Sequence, residues 1–207
     1  MIKLFYVPNA CSLASHIVLE EIGAPYELAQ VDFKTGAQLK PAYLAINPKA
    51  KVPALATDRG VLTETPAILA YLAQTHPDAK LAPLDDPFAF AKLQGFNDYI
   101  SATVHVAYAH IFRGARWADS DAAIAEMAAK GPGVVAKHLE LIEAEMFAAP
   151  WAMGDDYTVA DAYLYVMTRW TARADIDLAA LPKLADHKRR MEQRPAVQRA
   201  LSQEGLA

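Results

Sequence analysis

The apolar residues of this 207-residue chain follow one pattern up to about His76 and another from about Phe88, with a stretch rich in Pro and Asp between them. Short apolar runs alternating with helical segments call for a sheet with helices packed on it. Sustained 3.6-residue periodicity calls for helix packed on helix. A chain that carries both patterns, one after the other, is expected to fold as two unlike parts.

In the first part, residues 2 to 7 are rich in Phe, Tyr, Val and Ile and read as a buried strand, after which Leu13, Ile17, Val18 and Ile22 recur at helical spacing and Gly23 follows as a stop. Residues 26 to 32 make a second strand. A weaker helical segment from Thr35 to Ala45 then leads into the breaker pair Asn47-Pro48. The resulting βαβ unit should have a right-handed crossover. Pro53 to Thr57 and Val61 to Thr63 flank Asp58-Arg59-Gly60, a hairpin signal. Thr65 as cap and Pro66 at the first helical position then open a helix. The order βαβαββα over residues 1–77 is thioredoxin-like.

Residues 78–87 read as a linker, and 88–207 as an all-α domain, with apolar spacing such as Leu139, Ile142, Met146 and Ala162, Tyr163, Val166, Trp170. Gly131-Pro132-Gly133 predicts a kink or a break into two helices. Thr158 and Asp161 have the spacing of a capping box.

With 54% apolar and 21% charged residues the chain can bury a sizeable core. A net charge of -4, with Lys188-Arg189-Arg190 as the one basic run, argues against nucleic acid as a partner. No charged leader precedes a long apolar segment and no apolar run reaches membrane-spanning length, so no membrane association and a cytoplasmic location are expected. None of the six histidines has zinc-site spacing, and no phosphate-cradling glycine loop or G-x-S-x-G elbow is present; no metal is expected.

Three segments carry chemistry. Cys11, the sole cysteine, follows Pro8-Asn9-Ala10 where the first strand gives way to the first helix, and a thiol at a helix N-terminus is favoured as thiolate. With no second cysteine, any thiol chemistry needs a sulfur from elsewhere. Val52-Pro53 enters a hairpin strand, and a cis bond there would offer the Val52 N–H and C=O to an extended peptide-like ligand. Glu64-Thr65 can clamp an amino acid, the helix start meeting its carboxylate and Glu64 its ammonium.

Four segments in order now carry a family likeness: Tyr6-x-Pro8-x-x-Cys11-Ser12-Leu13-x-x-His16-Ile17-Val18-Leu19-Glu20, Leu44-Ala45-Ile46-Asn47-Pro48-Lys49-x-x-Val52-Pro53-x-Leu55, Leu62-Thr63-Glu64, and Gly154-Asp155-x-x-Thr158-Val159-Ala160-Asp161-Ala162-Tyr163-Leu164. Over nearly its full length the chain resembles the cytosolic glutathione transferases, most closely the bacterial beta class. The resemblance implies that glutathione is the cosubstrate. Cys11 would face its sulfur, Val52 beside a cis-Pro53 would pair with its cysteinyl backbone, and Glu64 with Thr65 would hold its γ-glutamyl end. It further implies that His105 approaches Cys11 from the helical domain, that a small hydrophobic electrophile lies between the domains against Tyr108, Phe112 and Trp170, and that the protein is a homodimer.

The chain departs from the beta pattern around the histidine, where Asp98, Ala102, Thr103 and Val106 replace the usual Asn, Ser, Glu and Lys, and after the second strand, where Gly36 replaces a lysine and Lys34 is the nearest cation. These losses imply weaker glutathione binding or a shifted pose. Conjugation, thiol–disulfide exchange through Cys11, a maleylacetoacetate-isomerase-type reaction and a non-catalytic interaction module of the same fold are the readings that follow.

Overall fold

The computed structural model describes residues 1–207. Strands β1 (Ile2–Tyr6), β2 (Tyr26–Gln30), β3 (Ala54–Thr57) and β4 (Gly60–Thr63) form one sheet in the order β2-β1-β3-β4. β1 and β2 run parallel, with Ile2 opposite Tyr26, and β1/β3 and β3/β4 are antiparallel. Between β1 and β2 lies helix α1 (Ser12–Ile22), which ends where Gly23 adopts φ 70° and returns its N–H to Leu19.

The second strand stops two residues short of expectation. The Val31 N–H still reaches Tyr6, but Asp32 then accepts from the Lys34 amide and turns the chain away from β1. The expected helix over Thr35 to Ala45 resolves into a 3₁₀ turn (Ala37–Leu39) and a single turn α2 (Pro41–Leu44), because Pro41 has no N–H with which to extend a helix begun before it. Helix α3 (Thr65–Thr75) starts with Glu64, not Thr65, at the cap, at φ 73° and with no side-chain capping bond.

The remaining α-helices are α4 (Pro87–Tyr99), α5 (His105–Arg113), α6 (Asp121–Leu141), α7 (Val159–Trp170), α8 (Pro182–Glu192) and α9 (Pro195–Gln203). A π-helical turn (Ile100–Val104) joins α4 to α5 without a break. Of the two outcomes expected at Gly131-Pro132-Gly133, a break into two helices does not occur: α6 runs as one helix through the segment, with Pro132 inside it. The packing explains why glycine stands there: a Cβ on Gly131 would lie 2.3 Å from Cγ1 of Ile111, so the hydrogen side chain lets α5 and α6 approach closely.

Helix α1 is buried from Ser12 to Leu19, with the sheet on one side and α7 and α9 on the other. One cluster of 40 buried residues therefore runs from Leu4 in the sheet to Leu201 in α9, and the two halves share a core instead of meeting as separate bodies. The connecting stretch is tied down as well, since the Val159 N–H at the head of α7 donates to the Leu81 carbonyl at 2.9 Å. The capping box forms at the same place: Asp161 Oδ2 accepts from the Thr158 N–H at 2.8 Å, and Asp161 Oδ1 meets buried His187 at 3.0 Å.

Candidate active site

The loop from Val7 to Cys11 is fixed at both ends. The Ser12 hydroxyl accepts from the Val7 N–H and donates to the Val7 carbonyl, each at 3.2 Å, so the end of β1 is sewn to the start of α1. Asn9 sits at φ 57°, a left-handed conformation that Asn tolerates. Its N–H donates to Glu204 Oε2 at 2.9 Å, and its carbonyl accepts from Trp170 Nε1 at 3.0 Å. Glu204 is held in turn by His16 Nδ1 at 2.9 Å, both side chains being fully buried. Residues from α1, α7 and the C-terminal end thus set the position of the thiol that follows Asn9.

Cys11 Sγ donates to the Val52 carbonyl at 3.3 Å, and the Val52-Pro53 bond is cis. Burial pushes the Cys11 thiol up to about 11. Glu64's negative charge adds to the rise, and hydrogen bonding from Thr65 and from the Cys11 and Ser12 backbone opposes it. The expectation that the helix N-terminus favours thiolate is therefore corrected. Desolvation exceeds the backbone contribution, and at neutral pH Cys11 is held as the neutral thiol.

His105 begins α5, directly after the π turn. Burial holds its imidazole down at about 4, with Arg116 and Lys51 acting in the same direction and Glu64 against them, so the ring is neutral at physiological pH. Nδ1 lies 3.2 Å from the Tyr163 hydroxyl, which burial keeps protonated. The hydroxyl and the neutral ring can each donate or accept in this bond, which fixes the position of the imidazole. Trp170 packs edge-on against the imidazole, ring centroids 5.1 Å apart.

Two adjoining cavities open around these groups and share Cys11, Lys51, Val52, His105, Ala109 and Arg116. The smaller, about 160 Å³, is also lined by Pro53, Glu64, Thr65 and Tyr163. The larger, about 230 Å³, is walled by Phe33, Tyr108, Phe112 and Trp170. Tyr108 is fully buried and its hydroxyl is spent on the Met167 carbonyl at 2.8 Å, so it offers only ring surface. Glu64 is exposed and pairs with Lys49. Lys34 is exposed and lines neither cavity, whereas Lys51 lines both.

Of the residues singled out from the sequence, Cys11, Val52, Pro53, Glu64, Thr65, His105, Tyr108, Phe112 and Trp170 all meet at this cleft, and Lys34 does not. Sequence reasoning passed over Lys51, Tyr163, Arg113, Arg116 and Arg173. Arg113 and Arg116 stand eight and eleven residues after His105, spacings that continue its helical face, so the signal was present.

A sheet of this order carrying a half-buried thiol beside a cis-proline, backed by a helical domain that supplies an imidazole and an aromatic wall, is the glutathione transferase fold. Residues 1–74 match the model of the glutathione S-transferase N-terminal domain and residues 96–195 that of the C-terminal domain. The chain belongs to the glutathione S-transferase family. It is 37% identical to the glutathione S-transferase GstA of Escherichia coli O157:H7, over 99% of each chain. A Sulfitobacter glutathione transferase homologue solved with bound glutathione superposes with a TM-score of 0.95 at 38% identity, covering 100% of this chain and 99% of that one. A beta class enzyme from Sphingomonas chungbukensis gives 0.86 at 38% identity, covering 99% and 100%. No helix is long and apolar enough to cross a membrane.

Proposed function

We propose that this transferase conjugates glutathione to small hydrophobic electrophiles, and that Cys11 acts as a neutral S–H donor beside the glutathione sulfur instead of attacking through its own. The observation that carries this reading is the Cys11 Sγ–H to Val52 carbonyl bond at 3.3 Å, made by a thiol whose burial pushes it up to about 11. A thiol so rarely ionised is a poor nucleophile and a competent donor. In this reading the Val52 carbonyl passes to the cysteinyl N–H of bound glutathione, the Cys11 Sγ–H turns from that carbonyl to the glutathione thiolate, and the neutral His105 ring faces the same sulfur. That thiolate forms a bond to the electrophilic carbon as the leaving group departs, and the glutathione proton passes to water.

The cavity with Glu64 and Thr65 suits the γ-glutamyl end, since no side chain caps α3 and its first N–H groups are free to meet a carboxylate. The Val52 backbone beside Pro53 takes the cysteinyl unit. Lys51, which lines both cavities where Lys34 lines neither, meets the glycyl carboxylate. Tyr108, Phe112 and Trp170 supply the wall for the electrophile. A homodimer in a reducing, cytoplasmic compartment belongs to the same reading; Phe88 on α4 and Val61 on β4, 69% and 44% exposed, offer apolar surface to a second copy.

Calorimetry with glutathione, followed by conjugation kinetics of Cys11→Ala, tests the reading. Binding with conjugation that survives the substitution at reduced rate is expected. No binding at millimolar glutathione favours a non-catalytic module instead, and complete loss of conjugation in Cys11→Ala makes the cysteine the nucleophile.

A further inference from the structure

The larger cavity is apolar on its walls and cationic at its edge. Arg113, Arg116 and Arg173 all border it and no Asp or Glu does. None of the three guanidinium groups is in an ion pair, although the chain is acidic overall; Arg59 and Arg169 are likewise outside any ion pair but do not border this cavity. Arg116 also borders the smaller cavity, whereas Arg113 and Arg173 border the larger one alone. Arg173 lies over the Phe112 ring, 4.1 Å from its centroid, and Phe112 stacks on Tyr108 at 6.3 Å with 10° between planes.

Resting on the transferase reading, we propose that the acceptor carries an anion: an aromatic electrophile bearing a carboxylate. Its ring lies against Phe112 and Trp170, and its carboxylate reaches Arg113 and Arg173 at the mouth. Glutathione does not account for these two cations. Its glycyl carboxylate has Lys51 and its γ-glutamyl carboxylate has the α3 N-terminus. Arginine fits the role because its planar fork pairs with a carboxylate through two parallel bonds while its face stays on an aromatic ring. A guanidinium parked on Phe112 keeps both faces of that arrangement, one stacked and one free for an anion. A neutral electrophile fills the apolar volume and leaves the guanidinium groups to water, so the discrimination comes from the charge.

The test uses two product analogues of one shape, S-(para-carboxybenzyl)glutathione and S-(para-carbamoylbenzyl)glutathione, with calorimetry on the full chain. The carboxylate analogue should bind about tenfold tighter, as charge-assisted bonds in a part-exposed site are worth. Added salt should narrow the gap, and Arg113→Gln/Arg173→Gln should close it. Both arginines are exposed, so the variant is expected to fold. Equal binding of the two analogues, a gap that persists in the double variant, or binding of neither overturns the anion site. Turnover of chlorodinitrobenzoate and its carboxamide, each relative to its uncatalysed reaction with glutathione, separates this from the transferase reading. Selective binding of the carboxylate analogue without turnover of either electrophile leaves the anion site standing and removes the catalytic role.

Discussion

The indole N–H of Trp170 donates to the backbone carbonyl of Asn9 at 3.0 Å, so the last residue of α7 holds the loop that carries Cys11. The same ring packs on His105 and Tyr108, with centroids 5.1 and 5.4 Å away. Trp170→Phe keeps an aromatic wall but removes the donor, leaving the Asn9 carbonyl short of a partner. Stability should fall by about 1 kcal/mol, and kcat/KM for conjugation should fall several-fold as the loop loosens. Thermal unfolding and steady-state kinetics on the same variant check both.

The other side of Asn9 depends on Glu204. Glu204→Ala removes the acceptor of the Asn9 N–H and strands the buried His16 ring beside Gln203 and Tyr26. Leaving buried donors without their acceptor costs about 1–3 kcal/mol. Denaturant unfolding should show that loss, and calorimetry should show weaker glutathione binding, although Glu204 lines neither cavity.

His105 makes stability depend on pH in a defined window. Free imidazole takes up a proton near 6.5, while in the folded chain burial delays that to about 4. Between these values the unfolded state binds more protons, so stability is lost as pH falls through the window, by up to about 3 kcal/mol. Replacing His105 with Gln should flatten that segment of the stability curve. For the same reason, the conjugation rate above pH 6 should follow ionisation of glutathione alone, with no step from the imidazole.

The two glycines around Pro132 should respond in opposite directions. Gly131→Ala forces a methyl to within 2.3 Å of Ile111 and should destabilise by about 1–3 kcal/mol. Gly133→Ala meets nothing within 4 Å and should stabilise the helix by about 0.5–1 kcal/mol. Melting temperatures of the two variants decide this.

Much of the sheet was readable from local rules. The strand at residues 2 to 7, the helix ending at Gly23 and the hairpin about Asp58-Arg59-Gly60 each follow from short-range periodicity and turn chemistry, and the capping box at Thr158 and Asp161 is a fixed-spacing signal. At Gly131-Pro132-Gly133 the reason for the first glycine is not local: it answers to Ile111 on another helix, a tertiary contact that local propensity does not register. Thr65 gave way to Glu64 at the cap for a similar reason: the chain enters α3 through a positive φ at Glu64, which no residue type announces. In the site, Cys11 and His105 were found by resemblance and position. Their protonation was not legible, because it depends on burial by residues from both halves of the molecule. Lys51 escaped notice in favour of Lys34 since only the folded loop, in which Tyr43 and Asn47 each donate to the Lys51 carbonyl at 2.7 Å, brings it to the cleft.

In the proposed mechanism the reacting thiolate belongs to glutathione and Cys11 stays protonated beside it. Ultraviolet thiolate absorbance, titrated with and without glutathione in the wild type and in Cys11→Ala, addresses this directly. No thiolate signal is expected near neutral pH in the glutathione-free protein, and a signal is expected on adding glutathione. In Cys11→Ala that signal should persist with its midpoint raised by about one pH unit, the worth of one hydrogen bond to a charged sulfur. A thiolate signal below pH 8 in the glutathione-free protein that vanishes in Cys11→Ala would contradict it.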